Sequence, residues 1–185
     1  MSAAVCLLEE SMETNRLIIR PFRPDDAEDL FAYLSREKVV RYEPYPPFTR
    51  EQAAKEAARR ANDPNFLAVV LKENGCVIGN LYFAPGDFDT WELGYVFHDA
   101  YWGWGYAAEA CGALIQDAFE NKKIHRITAM CNPENDASWR LLERLGLQRE
   151  GCLRKNIWFR QDEMGRPVWQ DTYVYAALRD SHKNT

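Results

Sequence analysis

The alternation of apolar and polar residues predicts a chain of short strands interrupted by amphipathic helices. Apolar runs with the length and the β-branched or aromatic content of strands lie at Arg16–Arg20, Phe66–Leu71, Cys76–Phe83 and Trp91–Phe97. Three more runs of this kind occupy residues 126–131, 153–159 and 168–178. The turn Glu73-Asn74-Gly75 joins two of the runs and predicts an antiparallel hairpin.

Three segments instead repeat their apolar residues at helical spacing, and a fourth, alanine-rich segment has only a weak apolar face. Asp25 and Asp26 are suitable caps for the first helix, and Thr49 with Gln52 forms a capping box for an alanine-rich second helix that ends near Ala61. The helical repeats comprise Ala27, Leu30, Phe31 and Leu34; then Ala107, Ala110, Cys111, Leu114, Ile115 and Ala118; then Ser138, Leu141, Leu142 and Leu145. The resulting order β-α-α-β-β-β-α-β-α-β-β predicts an α+β fold with a mixed sheet.

Composition and charge narrow the class of protein. The 185 residues carry a net charge of −5, which disfavours generic nucleic-acid binding. The five cysteines form no CxxC pair and have no metal-ligand spacing with histidine, so we expect a reduced, cytoplasmic protein without a metal. The apolar segment Ala3–Leu8 is too short to span a membrane, so we expect no membrane association. We expect a loosely held lead-in over residues 1–12 and one domain over residues 13–180.

Between the strand ending at Phe97 and the next helix lies a glycine turn, Trp102-Gly103-Trp104-Gly105-Tyr106-Ala107. A strand, a glycine turn and a helix start together present free backbone N–H groups to an oxyanion. The spacing matches neither the dinucleotide fingerprint nor the Walker loop. The turn therefore predicts a phosphate-bearing ligand other than an ordinary nucleotide.

Three elements in order resemble the Gcn5-related N-acetyltransferase (GNAT) superfamily, and in particular its RimJ/RimL-type branch. The first is Arg16-Leu-Ile-Ile-Arg-Pro21, and the second is Glu92-Leu-Gly-Tyr95 followed by the glycine turn. The third is Cys131-Asn-Pro-Glu-Asn-Asp-Ala-Ser138 with the later Leu145-Gly-Leu147. The resemblance implies a three-layer fold in which helices flank a central, mostly antiparallel mixed sheet.

The same resemblance implies an acetyl-CoA site. The pantetheine arm would pair with the strand at Tyr95, Val96 and Phe97, and the pyrophosphate would lie on the glycine turn. The cofactor-binding residues implied on the turn are Trp102, Gly103, Trp104, Gly105, Tyr106 and Ala107, and those near the thiol are Asn132, Asn135 and Ser138. Trp102 stands where the family often has Gln or Arg, so backbone amides would carry more of the anion binding.

Two catalytic residues are expected from the resemblance and from the chemistry of amine acetylation. Attack on a thioester needs a neutral amine, and Glu92 is the expected base or water-positioning group. Asp87, Asp89 and Glu43 are weaker rivals in nearby loops, and a solvent-facing structural role for Glu92 is the plain alternative. Ser138 is expected at the departing thiolate, because Leu142 occupies the position of the family's frequent tyrosine and cannot donate a proton. The plain alternative is a helix-face serine that bonds to a backbone carbonyl.

These observations predict an acetyl-CoA-dependent N-acetyltransferase that acts directly on a primary amine, as a monomer or homodimer. The branch resemblance favours a protein N-terminus as acceptor, while amino acids, polyamines and drugs stay open. A non-catalytic acyl-CoA-binding regulatory module is the rival from another class, motivated by Leu142 and Trp102. A phosphate-ligand protein unrelated to CoA is a third possibility.

Overall fold

The computed structural model describes residues 11–182 and places eight strands in one sheet flanked by helices. The strands are β1 (Met12–Glu13), β2 (Leu17–Pro21), β3 (Phe66–Leu71), β4 (Val77–Pro85), β5 (Thr90–Phe97), β6 (Arg126–Cys131), β7 (Gln148–Gln161) and β8 (Pro167–Leu178). The helices are α1 (Ala27–Leu34), α2 (Arg50–Ala61), α3 (Tyr106–Glu120), α4 (Asp136–Arg144) and α5 (Arg179–His182), with short 3-10 turns at Pro24–Asp26 and Asp99–Tyr101. This order confirms the predicted α+β class.

The sheet is mixed, with strand order β1-β2-β3-β4-β5-β6-β8-β7. Every neighbouring pair is antiparallel except β5 and β6, which run parallel. A parallel pair needs a crossover connection, and α3 supplies it between β5 and β6. The glycine turn therefore lies where the chain leaves β5 for the crossover helix α3.

Alternation along the strands divides the core into two layers. Leu17 and Ile19 of β2 pack with α3 and α4, whereas Ile18 between them packs on the other face with α1 and α2. Helix α2 buries only a narrow face, as its weak apolar pattern predicts, and its capping box is present. Thr49 Oγ1 accepts from the Gln52 N–H at 3.2 Å, and Gln52 Oε1 accepts from the Thr49 N–H at 2.8 Å.

The feature that positions the site is a split in the sheet. Strands β5 and β6 pair only over Thr90–Glu92 and Arg126–Thr128. Beyond Glu92, β5 continues along β4 as far as Phe97, while β6 continues along β8 as far as Cys131. A gap therefore opens between the two central strands, as the family resemblance implies.

The two edge strands of the sheet, β1 and β7, depart most from the predicted pattern. Strand β7 covers Gln148–Gln161 rather than 153–159, and most of its residues are exposed at the sheet edge, which removes the apolar alternation that marks a half-buried strand. Residues 1–10, which include Ala3–Leu8 and Cys6, lie outside the described residues, but Met12 and Glu13 pair with β2. No helix within 11–182 has the length and apolarity to cross a membrane.

Candidate active site

The glycine turn has the geometry of an anion site. Gly103 and Gly105 have φ values of 82° and 81°, in the left-handed region where a Cβ is strained. Gly105 is the N-cap of α3, so the first N–H groups of that helix have no intrahelical acceptor. These amides point out of the positive end of a 15-residue helix, the arrangement that favours a phosphate.

Trp102 has a structural task at the start of this turn. Its indole Nε1 donates to the Phe97 carbonyl at 2.8 Å, and the Lys38 ammonium lies 4.9 Å from its ring centroid. The indole N–H is therefore engaged within the protein and fixes the turn to the end of β5. Trp104, by contrast, is 66% exposed, so its ring is available to a ligand.

Arg16 stands beside the turn, although no local motif linked it to the site. Its Nη1 donates to the Trp104 carbonyl at 3.0 Å, and its guanidinium lies 4.4 Å from the centroid of the Tyr106 ring. Glu109 binds it at 2.6 Å and also accepts from Thr14 Oγ1. These contacts give Glu109 a structural role, and they place a half-exposed positive charge next to the helix N-terminus.

The backbone of β5 faces the gap at alternate residues. The His98 N–H donates to Ile78 and the Gly86 N–H donates to Thr90, so in this register every second residue of β5 bonds to β4. Val96 belongs to that bonded set. Within the stretch implied for pantetheine, Tyr95 and Phe97 therefore turn their backbone groups toward the gap, and Val96 turns its own toward β4.

Helix α4 forms the opposite wall. Asn135 is its N-cap, and the Asn135 side-chain oxygen accepts from the Ser138 N–H at 3.2 Å. Asn132 holds the preceding turn, because its Oδ1 accepts from the Glu134 N–H and its Nδ2 donates to Gln170 of β8. Asn135 and Ser138 line the cavity described below, so the predicted residues of this motif are brought together.

Tyr95 reaches across the gap to Ser138. Its hydroxyl donates to the Ser138 carbonyl at 3.1 Å and lies 2.9 Å from Ser138 Oγ. Burial raises the pKa of the Tyr95 phenol, which keeps it protonated. Leu142, where a tyrosine is frequent in the family, is fully buried in the core. A phenol is therefore present near Ser138, but β5 supplies it instead of α4.

Cys131 ends β6 close to the same wall. Burial raises the pKa of its thiol to about 11, so the thiolate needed of a nucleophile is scarce at neutral pH. Cys131 is a small residue of the apolar core. In the described part of the chain, no group of three or more His, Cys, Asp or Glu is placed to hold a metal ion.

A cavity of about 740 Å³ opens from the gap toward α2 and the loop between α1 and α2. Glu92 lines it and is exposed to solvent. Asp87 and Asp89 lie in the β4–β5 loop and are not among the lining residues, and Asp89 instead accepts from the His125 N–H at 2.8 Å. Of the predicted carboxylates, the cavity therefore brings together Glu92 and Glu43.

Glu43 has the more unusual environment of the two. It is partly buried, and burial raises its pKa to about 7, although the Tyr45 hydroxyl and the Arg60 charge act in the opposite direction. Arg60 is only 2% exposed, and its Nε donates to Glu56 at 2.8 Å. Its Nη1 is buried without a protein partner among the described residues.

Comparison with known proteins places this architecture in a family. The model of the acetyltransferase (GNAT) domain matches residues 16–148. The chain is 35% identical over 170 residues to the uncharacterised N-acetyltransferase YnaD of Bacillus subtilis, covering 90% of this chain and 96% of that protein.

Solved structures agree with the sequence matches. The crystal structure of a GNAT-family acetyltransferase from Bacillus anthracis is 33% identical, with a TM-score of 0.83 over 92% of this chain and 99% of the other. The ribosomal-protein-S5-alanine acetyltransferase from Vibrio fischeri shares the fold at 23% identity, with a TM-score of 0.76 over 93% of this chain and 98% of the other. With its split sheet, its glycine turn and these relatives, the chain belongs to the GNAT family of acetyltransferases.

Proposed function

We propose that this enzyme transfers the acetyl group of acetyl-CoA directly to a primary amine. The observation that carries the proposal is the gap between β5 and β6, which opens beyond Glu92 and has the free amides of α3 at one end. The α3 end of the gap suits an anion, and β5 has backbone groups beyond Glu92 that do not pair with β6. The cavity has room for a second substrate. Acetyl-CoA is the acetyl donor that the GNAT family uses.

In the proposed complex the pyrophosphate lies on backbone N–H groups from Gly103 to Ala107, beside the ion pair of Arg16 and Glu109. The pantetheine arm pairs with the backbone groups of Tyr95 and with the Phe97 N–H, because the Phe97 carbonyl already accepts from the Trp102 indole. Trp102, Trp104 and Tyr106 shape the turn around the ligand, with Trp104 the most accessible of the three. Asn132 and Asn135 build the wall near the thiol.

The chemistry follows from this placement. The thioester carbonyl accepts a hydrogen bond from a backbone N–H of β5, the strand that ends at Phe97, and this bond stabilises the developing oxyanion. The amine attacks without a covalent enzyme intermediate, and the alignment of two substrates in one cleft supplies much of the acceleration. Tyr95 and Ser138 lie together where the departing thiolate can be protonated. Glu92 orients the acceptor amine or a water molecule from the solvent side of the cavity.

The charge of the cavity favours a cationic acceptor. The carboxylates of Glu43 and Glu92 favour a cationic amine, whereas Arg59 and Arg60 are matched by Glu56 and Asp63. We propose a protein N-terminus as the acceptor, on the resemblance to the RimJ/RimL-type branch. A small-molecule amine is the second candidate, because the cavity of about 740 Å³ has room for one. The four free thiols in the described part of the chain support a cytoplasmic enzyme.

The rival is an acyl-CoA-binding module without catalysis. Two residues motivated this rival, Leu142 and Trp102. Tyr95 supplies the phenol that Leu142 lacks, and the Trp102 indole binds the Phe97 carbonyl, which gives it a structural role. The test is release of free CoA thiol from acetyl-CoA across a panel of peptides, amino acids, polyamines and other amines. Turnover with at least one acceptor supports the proposal, and tight CoA binding with no turnover supports the rival. Thermal stabilisation by ATP or NAD but not by acetyl-CoA would contradict both.

A further inference from the structure

The loop between α1 and α2 (residues 35–49) forms a fixed wall of the cavity. Its start is held by an ion pair of 2.5 Å between Arg36 and Asp99, which lies just after β5. Its middle is held by the Tyr42 hydroxyl, which donates to the Glu134 carbonyl at 3.1 Å. The Phe48 N–H closes the loop by donating to the Leu34 carbonyl at 3.0 Å. The loop thus bridges both sides of the gap.

Glu43 sits in the middle of this wall. Its backbone N–H donates to the Val40 carbonyl at 3.0 Å, and Val40 is fully buried, so the backbone of Glu43 is anchored to the core. Glu43 lines the cavity that Glu92 and Ser138 also line. In the proposed complex the residue therefore borders the space that an acceptor amine must enter to reach the thioester.

The charges around Glu43 leave it able to titrate. The groups that share the cavity are Tyr42 and Tyr45 of the loop, Glu56, Arg59 and Arg60 of α2, Asp63 after it, Tyr82 of β4, Glu92 and Tyr95 of β5, and Cys131 of β6. Arg59 pairs with Glu56 and Asp63, and Arg60 pairs through Nε with Glu56. The Arg60 charge also acts on Glu43 and opposes the effect of burial, but burial is the larger influence and the pKa of Glu43 is raised. Glu92 is exposed, and water screens its charge.

We propose that Glu43, and not Glu92, is the catalytic base that removes the proton from the acceptor amine. This inference rests on the proposed function, and it assigns the base of that same site. Glu92 keeps the role of orienting the acceptor from the solvent side. Three observations support the division of roles: the anchored wall, the cavity lining and the burial that sets Glu43 apart from Glu92.

The step balances as follows. The acceptor enters as an ammonium ion and gives one proton to the Glu43 carboxylate. The neutral nitrogen then forms the C–N bond to the thioester carbonyl carbon, and the C–S bond breaks. The thiolate takes the second nitrogen proton through Ser138 or Tyr95, and Glu43 returns its proton to solvent. A base with a pKa near the working pH is the most effective for this transfer, and burial raises the pKa of Glu43 to about 7.

The first test is the pH dependence of kcat/KM with the best acceptor of the panel. In the wild type, we expect kcat/KM to rise with pH and level off above about 7, because Glu43 is then ionised. In Glu43→Gln, we expect a loss of about 10²–10⁴-fold, the usual contribution of a general base. The remaining rate should rise until the acceptor itself loses its proton, near pH 8 for an α-amine or near pH 10 for a side-chain amine.

Two variants serve as controls. Glu92→Gln should lower kcat/KM but keep the plateau above about pH 7, because Glu43 is retained. Glu37→Gln removes an exposed carboxylate of the same loop that does not line the cavity, and its profile should match the wild type. Binding of acetyl-CoA, measured by calorimetry, should be unchanged in Glu43→Gln and so show that the variant is folded.

The proposal is wrong if Glu43→Gln keeps the wild-type plateau, or if Glu92→Gln abolishes it. A second measurement does not depend on turnover: carboxyl-carbon NMR of the glutamate-labelled enzyme should show one resonance titrating near pH 7 that disappears in Glu43→Gln. Titration of Glu43 at an ordinary glutamate pKa would overturn the inference, whether or not the enzyme shows turnover. Absence of turnover across the panel, with that resonance present, would count against the proposed function alone.

Discussion

At the scale of single residues, the site pairs a phenol with a serine and sets one glutamate apart from another. The sequence motif predicted Ser138 at the thiol end, but it could not predict that Tyr95 would reach it. The family resemblance implies a role only for the backbone of Tyr95. The side chain crosses the gap, and this brings its hydroxyl to Ser138 Oγ. Glu43 was likewise a lesser candidate, because burial of a loop side chain depends on tertiary packing.

Replacement of Tyr95 by Phe should slow catalysis and leave donor binding largely intact. A thiolate leaves readily, so we expect a loss of about tenfold in kcat, below the 10²–10⁴-fold usual for a general acid. Ser138→Ala should cost a similar factor, and the double variant should cost less than the product of the two, because the hydroxyls act together. Single-turnover kinetics measure the effect, and fully multiplicative losses would contradict a joint role.

Glu43→Gln should make the protein more stable at alkaline pH. The pKa of Glu43 is raised to about 7 in the folded state, against 4.5 ordinarily, so the folded protein binds more protons between these values. Its stability therefore falls as pH rises through this window, and an amide does not have this cost. We expect a gain of about 1–3 kcal/mol at pH 8 that shrinks toward pH 4.5.

Thermal unfolding of wild type and variant at pH 5 and pH 8 measures the difference. A gain of about 1 kcal/mol corresponds to a rise of about 2–4 °C in Tm for a protein of this size. Glu37→Gln, which replaces an exposed carboxylate of the same loop, is the matched control. An equal effect of Glu43→Gln at both pH values would contradict the assigned burial of the carboxyl.

At the scale of elements, the interior of the fold was predictable and its edges were not. The strands at Phe66–Leu71 and Arg126–Cys131 and the end of α2 at Ala61 agree with the sequence pattern, because buried faces enforce periodicity. Strand β7 is twice the predicted length, since an exposed edge strand needs no apolar alternation. The split between β5 and β6 came from the family resemblance, because no local pattern records where two strands part.

Gly79→Ala tests how closely β4 and β5 must approach. A Cβ at Gly79 would lie 2.6 Å from the Val96 carbonyl oxygen and 2.7 Å from Cδ1 of Phe97. The resulting displacement of β5 should cost about 1–3 kcal/mol and weaken acetyl-CoA binding, because it disturbs the edge of the gap. Denaturant unfolding and calorimetry measure the two effects.

Gly151→Ala is the matched control for this substitution. A Cβ there meets nothing within 4 Å, so the change in stability should stay within about 0.5 kcal/mol. Donor binding should not change, because β7 lies at the far edge of the sheet. Full donor affinity in Gly79→Ala would show that β5 is not the strand that holds pantetheine.

At the scale of the whole molecule, the fold brings four separate parts of the chain to one gap. The glycine turn supplies amides, β5 supplies backbone groups and a phenol, α4 supplies a serine, and the α1–α2 loop supplies a partly buried glutamate. Three of these came from contiguous motifs that sequence can record. The sequence named Glu43 only as a weaker candidate, because its placement against the cavity depends on anchors such as Arg36–Asp99 that join residues far apart in the chain.

The central claim is direct acetyl transfer from acetyl-CoA to an amine, and product stoichiometry tests it most directly. Mass spectrometry should quantify acetylated amine, and a thiol reagent should quantify free CoA, in one reaction with the best acceptor. We predict one acetylated amine for each thiol released, and no acetylated enzyme. Thiol release without acetylated amine, or an acetyl group retained on the protein, would contradict the account.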